Sequence, residues 1–165
     1  MNAKVLFICL TTIAAANAFS AGAPDLACFD MVPQHHVDPQ SSKSPYLVKL
    51  SKNQLKSGDQ VDVTIHGLKQ SDTIKGFMMQ ARVGDTPVGK WLVKKNDSYG
   101  QPLSCGKGID NAVTHKKIDG DGPNSLTFTW QAPPDLEAHV TFRATVALNG
   151  GVFWVGVLSP QLAVY

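Results

Sequence analysis

Five histidines, two lysine pairs, an Asn-x-Ser sequon and three cysteines are the residues whose types and spacing could do chemistry in this chain. His35 and His36, with Asp38 close by, form the best local group for a divalent metal. Adjacent residues on extended backbone point to opposite sides, however, so one ion takes both imidazoles only at a turn. The pair therefore reads as structural or exposed histidine, as do His115 and His139, while His66 alternates with Val63 and Ile65 and falls on the outer face of a strand. Asp119-Gly120-Asp121-Gly122 resembles the start of a calcium loop but lacks its further oxygen ligands and closing Glu, and reads as a turn. Gly106-Lys107-Gly108 has neither the spacing of a phosphate-binding loop nor a helix after it. No Gly-x-Ser-x-Gly elbow or motif-placed nucleophile beside a base is present, so a hydrolase is not expected, and no catalytic residue, metal or cofactor is assigned.

The cysteines are read through the N-terminus. Lys4, an apolar run over residues 5–13 and the triplet Ala16-Asn17-Ala18 have the pattern of a secretory signal peptide with an A-x-A cleavage site, which puts the mature start at Phe19. The apolar run is shorter than the roughly 20 residues that span a bilayer. Removing residues 1–18 also removes Cys9, so Cys28 and Cys105 remain as an even pair in a disulfide-permissive compartment. Asn96-Asp97-Ser98 then becomes available for N-glycosylation, in a loop that also holds Lys94 and Lys95. Those lysines, together with Lys116 and Lys117 and with Lys107 if the loops cluster, could meet anionic lipopolysaccharide or lipoteichoic acid; the alternative is a solvated charged face. Lys4 is the leader's only charge, so the formal net charge falls from +2 to +1 on cleavage, too little for a strong long-range field. No basic stripe with interleaved aromatics suggests nucleic acid, and no later apolar run suggests a membrane span.

The elements that must position these groups are strands. β-favouring runs occur at residues 46–50, 61–66, 76–83, 90–93, 112–116, 126–130, 140–148 and 152–158, separated by Gly-, Pro- and Asp-rich turns. Val61, Val63 and Ile65 alternate with polar neighbours, as do Leu126, Phe128 and Trp130, so each run predicts one buried face. In the longest run Val140, Phe142, Ala144, Val146 and Leu148 face in and Thr141, Arg143 and Thr145 face out; Asn149-Gly150-Gly151 then closes a hairpin. Residues 22–45 carry three prolines after Cys28 and read as an extended lead-in pinned by that cysteine. Trp130 and Phe142 belong to the core. Phe153 and Trp154 must leave opposite faces of their strand, and Trp154, if outward, is the best apolar contact for a ligand. About eight short strands with almost no helix predict an all-β sandwich in one domain, residues 19–165, with one disulfide.

Ala23-Pro24, Cys28, Pro33-Gln34-His35, Val37-Asp38-Pro39-Gln40 and Ser44-Pro45-Tyr46 resemble the opening of a reeler (reelin-type) domain. The resemblance continues through Gly76-Phe77-Met78-Met79-Gln80-Ala81-Arg82, Trp130-Gln131-Ala132-Pro133, residues 140–146 and Phe153-Trp154-Val155. A free-standing reeler domain behind a leader is similar to small insect haemolymph defence proteins of the nodulation-mediating type. The resemblance implies an immunoglobulin-like sandwich and a secreted, non-enzymatic innate-immunity protein. It also implies that the protein binds microbial surface components such as lipopolysaccharide, lipoteichoic acid or β-glucan, or the haemocyte surface, with nodulation, antibacterial and antifungal effects. The competing class is an extracellular matrix or adhesion module without microbial binding. A third class is the reeler module that precedes a redox domain, and no such domain is expected with this chain.

Overall fold

The computed structural model describes residues 19–165, so the expected leader and Cys9 lie outside the described residues. One helix and twelve strands follow in order: α1 Ala27–Asp30, β1 Tyr46–Leu50, β2 Gln54–Leu55, β3 Gln60–Gly67, β4 Gly76–Val83, β5 Thr86–Pro87, β6 Lys90–Leu92, β7 Gly100–Leu103, β8 Ala112–His115, β9 Ser125–Gln131, β10 Ala138–Asn149, β11 Val152–Leu158 and β12 Leu162–Val164. They form two sheets. The smaller runs β1-β3-β9-β6; the larger runs β2-β12-β10-β4-β8-β7, with β11 also on β10 and β5 also on β4.

Each of the eight expected runs is a strand, and the reason is visible in the register. In the small sheet Val61 lies opposite Trp130, Val63 opposite Phe128 and Ile65 opposite Leu126, so two alternating patterns coincide on one face. On the other face Thr64 and Thr127 share a hydroxyl hydrogen bond of 2.8 Å and Thr129 donates to the Asp62 carboxylate at 2.7 Å. In the large sheet Phe142 is opposite Ala81, Ala144 opposite Met79 and Val146 opposite Phe77. The two inner faces meet in one core, where the Phe142 ring stands edge-on to Trp91 at 5.8 Å and to Trp130 at 5.4 Å. Trp91, which pattern alone does not place, is 1% exposed. Gly89, at φ 71°, passes so close over Trp130 that an added Cβ would lie 2.4 Å from its ring, and only glycine fits that approach.

The outer face of the large sheet departs from expectation. β4 is buried on both faces along nearly its whole length, and Thr145, expected to face out, is 3% exposed. The cause is the N-terminal segment, which folds back over this face. Thr145 donates its hydroxyl to the carbonyl of Met31 at 2.5 Å, and Gln40 N–H bonds the Phe153 carbonyl at 2.9 Å. The lead-in is also not wholly extended: α1 makes one turn at Cys28, ahead of all three prolines, and closes at Met31 in the left-handed region (φ 62°), whose N–H bonds Ala27 O. Leu148, expected to face in, is half-buried, while Ala147 is buried; register shifts between Ala144 and Val146 and between Ala147 and Asn149 break the alternation there. The hairpin at Asn149 forms, with the Asn149 side chain accepting Gly151 N–H at 2.9 Å.

Candidate functional site

The lysine pairs divide. Lys94, Lys95 and Asn96 are exposed on the loop between β6 and β7. Lys116, just past β8, joins them: its N–H bonds Tyr99 O and its Nζ donates to Asp97 O, both at 2.7 Å. Lys117 turns away and pairs with Asp119 at 3.2 Å across exposed side chains. Lys107 is exposed on the separate loop that follows Cys105. The structure therefore gathers three of the four paired lysines on one edge, beside the sequon.

Trp154 is not the outward apolar contact. It lies opposite Val146, so its side chain leaves on the core face at the sandwich edge. There it is half-buried, edge-on to the Tyr46 ring at 5.7 Å, with its Nε1 donating to Ser42 Oγ at 3.3 Å. Phe153 takes the other face and is fully buried against His35, the rings 5.6 Å apart. Adjacency predicts opposite faces correctly; which face each takes is set by the register and by the lead-in.

Cys28 and Cys105 form a disulfide with a Cα–Cα distance of 5.5 Å. It fixes α1 to the large sheet, and polar contacts reinforce it. Gln80 donates to Cys28 O at 3.1 Å and to Cys105 Sγ at 3.2 Å, while Arg82 donates to Cys28 O, Phe29 O and the Gln80 amide oxygen. Burial, and then the nearby charge of Arg143, pull the pKa of Arg82 down, with Asp85 and Asp30 opposing. The guanidinium stays protonated at any ordinary pH.

Between this clamped lead-in and the sheet lies a cavity of about 370 Å³. Its roof is Pro24, Ala27 and Met31, and Met78 and Ala147 are part of its floor. Small residues line its floor: Gly76 and Ala147 sit side by side at the β4–β10 pairing, with the His115 ring over Gly76. The roof cannot settle into the space, because Ala23 N–H bonds Thr114 Oγ1 at 2.8 Å on one side and Met31 O accepts from Thr145 on the other. Two histidines line it. His115 uses both ring nitrogens on backbone, Nδ1 on Phe77 and Nε2 on Phe19 O at 3.0 Å. His35 Nδ1 is buried with no partner among the described residues. A sequence signal for this cavity exists: Gly76-Phe77-Met78-Met79 is apolar at consecutive positions, which an antiparallel strand shows when both its faces are covered.

Burial pulls the His35 pKa below its ordinary 6.5; the Gly150 backbone opposes this and His115 adds to it. A depressed histidine pKa means that the unfolded chain takes up the proton first as pH falls through 6.5. Stability contributed by neutral His35 is therefore present above that pH and declines below it, until the folded pKa is passed. In urea titrations at pH 7.5 and 5.0, wild type is expected to lose more stability than His35→Gln. Equal losses would show that His35 does not titrate differently on folding.

Two sheets around one core, with an N-terminal segment stapled over the outer face of the larger one, define a disulfide-clamped β-sandwich module. The chain belongs to the reeler domain family, whose model matches residues 26–165 and so includes α1 and the lead-in from residue 26 on. It is 44% identical over 165 residues, 99% of each chain, to "Putative defense protein Hdd11" of Hyphantria cunea. It is 34% identical over 161 residues, 97% of this chain and 96% of the other, to "Defense protein l(2)34Fc" of Drosophila melanogaster. The crystal structure of the human F-spondin reeler domain superposes with a TM-score of 0.60 at 14% identity, covering 80% of this chain and 96% of that one, which shows the shared fold. The names of its full-length relatives point to a defence role. No helix among the described residues is long and apolar enough to cross a membrane.

Proposed function

We propose that this protein is a secreted, non-catalytic recognition protein of innate immunity that binds anionic microbial surfaces through the lysine edge of Lys94, Lys95 and Lys116. The observation that carries the reading is end-to-end similarity to proteins named for defence. The edge supports it physically: Lys94 and Lys95 are exposed, and Lys116 is held beside them by its bonds to Tyr99 O and Asp97 O. In this reading the leader is removed at Ala18, and Asn96 carries its glycan at the rim of the edge.

The test uses protein secreted from insect cells, whose mass reports both leader removal and glycan. Wild type is incubated with Gram-negative and Gram-positive bacteria, particulate β-glucan and haemocytes, and sedimented. Binding is expected to at least one microbial surface, and Lys94→Gln/Lys95→Gln is expected to weaken it several-fold, as does raised salt. Lys116 and Lys117 are left in place because their side chains have bonds within the fold. Absence of binding to every microbial surface would overturn the proposal, and retention on haemocytes alone would favour an adhesion module.

A further inference from the structure

We infer that the cavity under the lead-in is a binding site for one aliphatic chain ending in an anionic head group, with the chain against Met31, Met78 and Ala147 and the head at Lys75. The site does not depend on the lysine edge or on the defence reading. Three observations carry it. First, about 370 Å³ falls within the roughly 300–1,000 Å³ range of small-molecule sites, and the space is preformed, because the disulfide and the hydrogen bonds at Ala23 and Met31 hold the roof away from the floor.

Second, the interior offers almost nothing to a polar ligand. The Thr145 hydroxyl is spent on Met31 O and the ring nitrogens of His115 on backbone, which leaves His35 Nδ1 as the one buried side-chain atom of the lining without a partner among the described residues. Apolar walls with so few polar groups select a hydrocarbon over a sugar or a peptide.

Third, the lining has a charged end. Lys75, Lys117, Asp119 and Gly120 line it together. Lys117 pairs with Asp119 across exposed side chains, whereas Lys75 is half-buried, donates to the carbonyls of Ile118 and Gly120, and has no carboxylate within ion-pair distance among the described residues. One uncompensated ammonium beside an apolar seam fits a carboxylate, sulfate or phosphate on a single chain. A double-chained lipid in a bilayer would have to leave the membrane to enter this space, and vesicles serve as the arm that separates the two sources.

The experiment titrates wild type, with the disulfide intact, with dodecanoate, dodecyl phosphate, dodecanol and dodecyltrimethylammonium below their micellar concentrations, and with anionic phospholipid vesicles. It follows heat and the 13C-methyl NMR signals of methionine. Met31 and Met78 line the cavity while Met79 belongs to the core, so the chain is expected to shift the first two signals and leave the third. Dodecanoate and dodecyl phosphate are expected to bind one to one, at least tenfold tighter than dodecyltrimethylammonium. Lys75→Met is expected to abolish that preference, so that the anionic and cationic chains bind alike. Ala147→Leu, which fills the floor, is expected to weaken every ligand, with near-UV circular dichroism confirming the fold. No binding of any monomeric amphiphile, shifts spread to Met79, equal affinity for the cationic chain, or binding to vesicles alone would each overturn the site. Because these probes carry no microbial surface, their outcome is separate from that of the sedimentation test.

Discussion

Replacing Cys28 and Cys105 together by serine is expected to lower the melting temperature by about 8 to 16 °C and to release the lead-in from the sheet. The bridge closes a sequence separation of 77 residues, for which chain entropy gives roughly 4 kcal/mol, and a domain of this size shifts by about 2–4 °C per kcal/mol. The loss acts mainly on the unfolded side, which the bridge otherwise restricts. It also has a local signature. Without the covalent tie, α1 is held by the Gln80 and Arg82 contacts to Cys28 O and Phe29 O, while β3 and β9 keep every cross-strand pair. Amide exchange should therefore lose protection around Met31 and Gln40 well before it does so in β3. A melting temperature within 2 °C of wild type, with protection at Met31 intact, would mean that the hydrogen bonds alone fix the lead-in.

How much of this was legible in the sequence depends on whether the cause was local. The alternation of β3 and β9 needs only the pleat, and those strands and their buried faces read directly from residue types. The outer face of the large sheet does not: Thr145 is polar, follows the outward alternation, and is buried only because a segment more than a hundred residues earlier lies across it. The four short strands that escape the pattern, β2, β5, β7 and β12, are two to four residues long and exist through pairing rather than propensity. Pro87 and Pro102 even argue against two of them, and both strands lie at sheet edges where proline is tolerated. α1 is a single turn, too short for any period to show. For the site, loop chemistry marked Lys94, Lys95 and Asn96 as exposed, but that Lys116 joins them while Lys117 does not follows from hydrogen bonds across the fold.

The family match reaches back to residue 26, so the lead-in from that residue on belongs to the domain and is not a tail in front of it. That gives the outer face two coverings of different kinds. Around the disulfide the covering is polar and dense, with Gln80 and Arg82 satisfied by backbone carbonyls; further along it is apolar and leaves space. A fold that needed only to bury this face could place a larger residue at Ala147, whereas the His115 ring already lies over Gly76. The small side chain at Ala147 makes the cavity in part a property of the sheet itself, and the clamp preserves it.

The second large effect lies on the opposite face of the same sheet. Phe142→Ala is expected to cost about 3–5 kcal/mol, the range for removing a buried phenyl ring from a core that cannot close around the gap. The site has little freedom to collapse. Phe142 is fully buried between Trp91 and Trp130, Trp130 is fixed by its Nε1 bond to Val88 O at 3.0 Å and by Gly89 against its ring, and the Phe142 N–H is held by Ser159 Oγ. The two edge-on ring contacts add about 0.5–1.5 kcal/mol each beyond area burial. Urea titration should show a lower midpoint with an unchanged slope, since the surface exposed on unfolding barely alters. Combined with the cysteine double variant, the loss should be additive within about 0.5 kcal/mol, because the ring contacts lie on the core face and the bridge on the outer face. A coupling above 1 kcal/mol would show that the clamp and the core act as one unit. β4, which carries Ala81 opposite Phe142 and Gln80 against Cys105, would then be the element that joins them.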